Sequence, residues 1–185
     1  MAKIIAVTNQ KGGVGKTTTT VNLAASLAAA KRKVLLVDLD PQGNATMGSG
    51  VDKRTVEISV AHVLLEENSI HECIVTSESA GYDILPSNEQ LTSAEVGLLD
   101  ARGREFKLRR ALEEVVDKYD YILIDSPPSL NMLTVNGLVA AQSVIIPTQC
   151  EYYALEGLSA LLGTIERVRQ SANPELQVEG CLLYT

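Results

Sequence analysis

Gln10-Lys11-Gly12-Gly13-Val14-Gly15-Lys16-Thr17-Thr18 constrains everything else in the chain. It follows a β-branched apolar run at residues 3–8 and opens a helical pattern at residues 16–30. A glycine-rich turn between a strand and a helix is where main-chain amides can gather around a phosphate. Gly12, Gly13 and Gly15 permit backbone shapes closed to other residues and let N–H groups approach an anion closely. The helix that starts near Lys16 points its positive end at the same place. From there Lys16 can reach the β- and γ-phosphates of a nucleotide, and the Thr17 hydroxyl can hold Mg²⁺. The fit to the pattern GxxxxGK[ST] is imperfect. Its first glycine would fall on Gln10, and a second lysine, Lys11, stands directly before the glycines.

Outward from this loop the chain alternates between two textures. β-Branched runs at 3–8, 33–38, 82–86, 121–125, 143–147 and 177–184 read as strands. Between them, residues 16–30, 60–66, 89–99, 104–118, 131–141 and 154–171 carry helical patterns. That alternation predicts an α/β fold with a doubly wound, mostly parallel sheet and helices on both faces. Ile122-Leu123-Ile124 and Val144-Ile145-Ile146 are continuous apolar runs, as expected of strands covered on both sides. Residues 43–81 are the least regular stretch. The sequence closes on a strand-like run, Val178 to Thr185, with no covering helix after it.

Length arithmetic locates two acidic sites. The first helix rises about 22 Å at roughly 1.5 Å per residue. The next strand returns about 20 Å at roughly 3.3 Å per residue. Asp38-Leu39-Asp40-Pro41-Gln42-Gly43-Asn44 should therefore emerge beside the glycine loop, at the carboxyl edge where open α/β sheets bind ligands. Tyr121-Ile122-Leu123-Ile124-Asp125 is an apolar strand that delivers an aspartate at its end, the arrangement that holds Mg²⁺ in nucleotide hydrolases. Mg²⁺ keeps much of its hydration, so Asp125 would act through water.

Composition narrows the classes. With 185 residues, 45% hydrophobic, the chain suits one domain with a real core. With no Trp and one Phe, that core must come from Val, Leu, Ile and Ala. A net charge of −7 removes the strongly basic footprint of a stand-alone DNA binder without excluding a local basic patch. Arg102, Arg104, Arg109, Arg110, Arg167 and Arg169 read as solvated helix faces. Cys73, Cys150 and Cys181 are too scattered for a disulfide framework or a cysteine metal site. No apolar run is long enough to span a membrane, and the N-terminus enters a strand pattern without a signal-peptide cleavage site. The expected location is the cytoplasm.

Lys11-Gly12-Gly13-Val14-Gly15-Lys16-Thr17-Thr18 resembles the deviant Walker A motif of the ParA/MinD superfamily. Asp38-Leu39-Asp40-Pro41-Gln42-Gly43-Asn44 resembles its switch I, and Asp125-Ser126-Pro127-Pro128-Ser129 its Walker B and switch II. The run from Pro147 to Leu158 is similar to the partitioning branch, with Tyr152 and Tyr153 as interface aromatics or ordinary packing. The resemblance covers essentially the whole chain and implies an ATPase that uses ATP and Mg²⁺. It implies that Lys11 crosses a dimer interface to the partner's phosphates, acting like an arginine finger. Asp40 would orient the attacking water, with Asp38 near the metal's water shell. It also implies an ATP-dependent homodimer, a centromere-binding ParB-type partner, non-specific DNA binding and nucleoid association in chromosome or plasmid partitioning. Family members normally continue past Thr185, so adenine-contacting and DNA-binding residues are not assignable.

Three other classes compete. A MinD-like membrane positioner requires a C-terminal amphipathic helix, and the sequence ends Leu182-Leu183-Tyr184-Thr185. Iron–sulfur carriers require paired or interface cysteines, and no residue pattern singles out a small-molecule ligase. A short, non-hydrolysing ATP-binding regulator is the third class.

Overall fold

In the computed structural model the described residues are 1–150 and 152–184, and the side chains of residues 152–156 and 184 fall outside that description. The strands are β1 (Lys3–Val7), β2 (Val34–Asp38), β3 (Val75–Ser77), β4 (Tyr82–Leu85), β5 (Tyr121–Asp125), β6 (Ser143–Gln149) and β7 (Gln177–Tyr184). They form one sheet in the order β3-β4-β2-β5-β1-β6-β7. Every pairing is parallel except β3 with β4, which Gly81, at φ 76°, helps to turn into a short hairpin.

The helices are α1 (Lys16–Ala29), α2 (Asn44–Gly48), α3 (Val60–Leu64), α4 (Ile70–Cys73), α5 (Gln90–Leu98), α6 (Lys107–Glu113), α7 (Met132–Ala140) and α8 (Tyr152–Ser171). Strand alternation divides them between two faces. Ile5, Leu36 and Leu123 pack with Ala24 of α1 on one face. Ile4, Leu35, Val37, Ile122, Ile124, Val144 and Ile146 pack with Leu133 and Leu138 of α7 and Leu161 and Ile165 of α8 on the other. The same period of two turns Asp38 and Asp125 toward α1.

Register then decides the site. β5 lies between β1 and β2, and Asp125 pairs with Val7 on one side and Asp38 on the other. Two acids, 87 positions apart in the chain, thus reach the same level of the carboxyl edge.

The expected helix at 104–118 is broken. A 3-10 turn at Arg104–Phe106 follows Gly103, α6 covers Lys107–Glu113, and a second 3-10 turn spans Val116–Lys118. Val115 is drawn into the core, and the chain tightens to i→i+3 bonds, Val115 N–H to Leu112 O at 3.1 Å and Lys118 N–H to Val115 O at 2.9 Å. Besides α3, which the sequence predicts, the irregular stretch at 43–81 holds three further short elements, α2, α4 and β3. The Tyr152 and Tyr153 side chains lie outside the described residues.

Candidate functional site

β1 ends at Val7 and the chain turns directly into the glycine loop. Asn9 pins the turn at both ends. Its Nδ2 donates to the Pro147 carbonyl on β6 at 2.8 Å, and its Oδ1 accepts from the Lys11 N–H at 3.0 Å. Gly13 and Gly15 take left-handed φ values of 74° and 82°, which glycine adopts without steric cost. Val14 is buried and anchors the loop to the body, whereas Gly12 and Gly13 face out. An added Cβ on either would meet nothing within 4 Å, so the loop is an open cradle of main chain. The start of α1 has no side-chain cap and no acid in its first turn, which leaves its leading N–H groups for an anion.

Lys16 is only 7% exposed, and its Nζ donates to the Lys11 carbonyl at 3.0 Å, folding back across the mouth of the loop. Burial lowers its pKa, and the charges of Asp125 and Asp40 oppose that shift. Thr17 Oγ1 donates to Asp125 Oδ2 at 2.7 Å, and Thr20 Oγ1 contacts Asp125 Oδ1 at 2.9 Å. Loop, first helix and β5 therefore meet at one carboxylate. Asp125 is fully buried, and burial together with the charge of Asp38 pushes its pKa up to about 7 against the Thr17 and Thr20 hydrogen bonds.

Asp38 is also fully buried, and its pKa is pushed up to about 6 by desolvation. Its oxygens are occupied within the protein: Oδ2 accepts from Thr46 N–H and Thr46 Oγ1, both at 2.8 Å, and Oδ1 from Asp40 N–H at 3.1 Å. Asp40 is 8% exposed, and its Oδ1 accepts from Gln42 N–H at 2.9 Å across the turn. Lys11 contributes its backbone to the loop and has a partly exposed side chain, while Thr18 lies on the exposed side of α1. The sequence-predicted residues are thus brought to one edge of the sheet. Asp38 differs from the others in that its hydrogen bonds come from its own loop and from Thr46 on α2.

This donor set fits a magnesium nucleotide. A hydroxyl and a carboxylate are hard oxygen ligands, and they form only part of an octahedral shell, as is usual where phosphates complete it. Asp125 and Asp40 stand beside the Lys16 ammonium, with Asp38 next to them, and burial first and neighbouring negative charge second raise the pKa values of Asp38 and Asp125. A divalent cation would offset that charge.

A family model described as an AAA domain, AAA_31, matches residues 2–178. Sporulation initiation inhibitor protein Soj of Bacillus subtilis is 54% identical over 183 residues, which cover 99% of this chain and 72% of Soj. The chain belongs to the ParA/Soj family. Chromosome partitioning protein ParA of Myxococcus xanthus is 52% identical, with 99% of this chain and 65% of that protein covered. Among solved structures, cobyrinic acid a,c-diamide synthase from Mycobacterium smegmatis, with bound ATP analogue and magnesium, matches with a TM-score of 0.95 at 45% identity. That match covers 99% of this chain and 75% of the other.

Three residues of this ParA/Soj-type site escape a reading of the sequence. Thr20 sits one turn after Thr17 on the same side of α1, a spacing that could have drawn attention to it. Asn9 directly precedes the motif, and an Asx residue before a tight turn is a weak signal. Thr46 carried no signal, because its role depends on α2 folding back beneath β2 and on Ser87, whose N–H donates to Thr46 Oγ1 at 2.9 Å.

Proposed function

We propose that residues 1–185 form one nucleotide-binding domain of an ATP-driven DNA-partitioning switch that hydrolyses ATP to ADP and phosphate. The observation that carries this reading is the Thr17–Asp125 hydrogen bond, which closes the phosphate loop onto the buried acid of β5 beside Lys16. In this mechanism the amides of residues 12–18 bind the phosphates, and Lys16 leaves the Lys11 carbonyl to pair with them. Thr17 and Asp125 would hold Mg²⁺, with Asp38 behind them, and the ion would supply positive charge against the phosphates. Asp40 orients a water toward the γ-phosphorus. Lys11 reaches the phosphates of a second copy, so ATP favours a homodimer and hydrolysis releases it. That dimer binds DNA non-specifically and meets a ParB-type partner in the cytoplasm, on the nucleoid. Among the described residues no helix is long and apolar enough to cross a membrane. The name of the Myxococcus xanthus relative, chromosome partitioning protein ParA, supports the partitioning role.

ATP turnover in Lys16→Ala and Asp40→Ala tests the chemistry, with a loss of about 10²-fold or more expected in each. Parent-like rates in both would refute the assignment. Sedimentation with and without ATP–Mg²⁺ tests the switch. The parent should dimerise, and Lys11→Ala should remain monomeric.

A second reading follows from the Mycobacterium smegmatis structure, which is named a cobyrinic acid a,c-diamide synthase and holds an ATP analogue with magnesium. Incubation with cobyrinic acid, an amide donor and ATP–Mg²⁺ separates the two. Amide formation seen by mass spectrometry would favour synthesis, and ATP-dependent dimerisation with DNA binding and no amide product would favour partitioning.

A further inference from the structure

The loop that carries Asp40 is held on its outer side by a residue that lies in no motif. Lys53 Nζ donates to the Gln42 carbonyl, and the Lys53 stem lies over Gly43. A Cβ at Gly43 would come within 2.9 Å of Lys53 Cδ and within 2.9 Å of the Ser87 carbonyl, and Gly43 itself sits at φ 60°. The turn is therefore shaped around the lysine stem, with the backbone of Ser87 closing the opposite side. Gln42 is gripped twice: its N–H by Asp40 Oδ1 at 2.9 Å, its C=O by Lys53. On this flank the loop borders a cavity of about 440 Å³, lined by Pro41, Gln42, Lys53, Asn88 and Gln90 among others, and not packed core. A carbonyl facing a cavity would otherwise be free to turn toward water, taking with it the Gly43 N–H of the same peptide, which donates to the Asp40 carbonyl at 2.8 Å and closes the turn on Asp40.

We infer that Lys53 is a positioning residue for Asp40, acting through Gln42 as a charge-assisted clip on the loop. The inference rests on the reading of Asp40 as the group that orients water. An ammonium-to-carbonyl bond is stronger than a neutral one, and the fixed turn sets the direction in which Asp40 presents its second oxygen. Lys53 lies against the Asp40 loop and not against Gly12 or Gly13 of the phosphate loop, so its removal should leave nucleotide affinity in place.

Two measurements test it. In hydrogen exchange without nucleotide, Lys53→Met, which keeps the stem and loses the ammonium, should speed exchange at the Gln42 and Gly43 amides about tenfold. Lys53→Arg should restore much of the protection. In ATP turnover, Lys53→Met should lower kcat several-fold with KM for ATP unchanged, and should add nothing in an Asp40→Asn background. Unchanged amide exchange, a parent-like kcat, a rise in KM without loss of kcat, or a multiplicative effect with Asp40→Asn would each overturn the inference. If Asp40→Asn alone leaves kcat unaltered, the reading of Asp40 fails, and amide exchange still judges the clip.

Discussion

Thr46→Val should cost this protein more stability than any conservative change of similar size at its surface. The Thr46 hydroxyl ties α2 to two strands: it donates to Asp38 Oδ2 on β2 at 2.8 Å and accepts from the Ser87 N–H after β4 at 2.9 Å. Thr46 is fully buried, so neither partner can turn to water. Valine has the same shape but makes neither bond. Loss of a hydrogen bond to a charged acceptor costs about 1.5–3 kcal/mol, and an orphaned buried N–H about 1–3 kcal/mol. The added methyl returns roughly 1 kcal/mol of apolar burial. The net expectation is about 1.5–5 kcal/mol, read from urea unfolding at neutral pH by linear extrapolation. Thr46→Ser keeps the oxygen and loses one methyl, so it should cost only about 1 kcal/mol. A valine variant within about 0.5 kcal/mol of the parent, or more stable than the serine variant, would refute the reasoning. Asp38→Asn in a double-mutant cycle should show coupling above roughly 0.5 kcal/mol with Thr46→Val.

Asn173→Ala should lose about 2–3 kcal/mol in the same assay, because Asn173 Nδ2 caps the carbonyls of Leu138, Val139 and Ala141 at 3.0, 3.2 and 2.6 Å at the buried end of α7. Gly43→Ala should destabilise by at least 1 kcal/mol, since the residue sits at φ 60° against the Ser87 carbonyl; a neutral result by thermal melting would contradict the packing described. The nucleotide-free protein should carry a pH-dependent penalty from Asp38 and Asp125. Their folded pKa values, about 6 and about 7, lie above the unfolded value of 3.8, so the folded state holds more protons within that window. The penalty is absent below about pH 4, grows as pH rises and is complete above about pH 7. Asp125→Asn should therefore gain stability relative to the parent as pH rises from 5 to 8, and ATP–Mg²⁺ should flatten the parent's slope; a constant difference across that range would contradict the burial of these acids.

The glycine loop was legible because its function needs a contiguous set of residues. Three glycines, Lys16 and Thr17 can only be useful in one order between a strand and a helix, so the sequence alone carries that chemistry. The two-sided burial of the sheet was equally plain, because continuous apolar runs such as Ile122-Leu123-Ile124 have no solvent-facing alternative. The broken helix at 104–118 was not, since Val115 follows the helical period well and is turned by the core it enters.

Residue order determined which groups this protein can bring to a phosphate, and strand and helix periodicity determined the layered sheet that carries them. Only the tertiary structure decided which of those groups meet. The parallel register of β1, β5 and β2 sets Asp125 level with Asp38 and against Thr17, 108 positions away. The same folding gives Thr46, Ser87 and Lys53 their tasks, though none belongs to a pattern. Hydrogen bonds between distant residues depend on direction over a few tenths of an ångström, and that information exists only once the chain has packed.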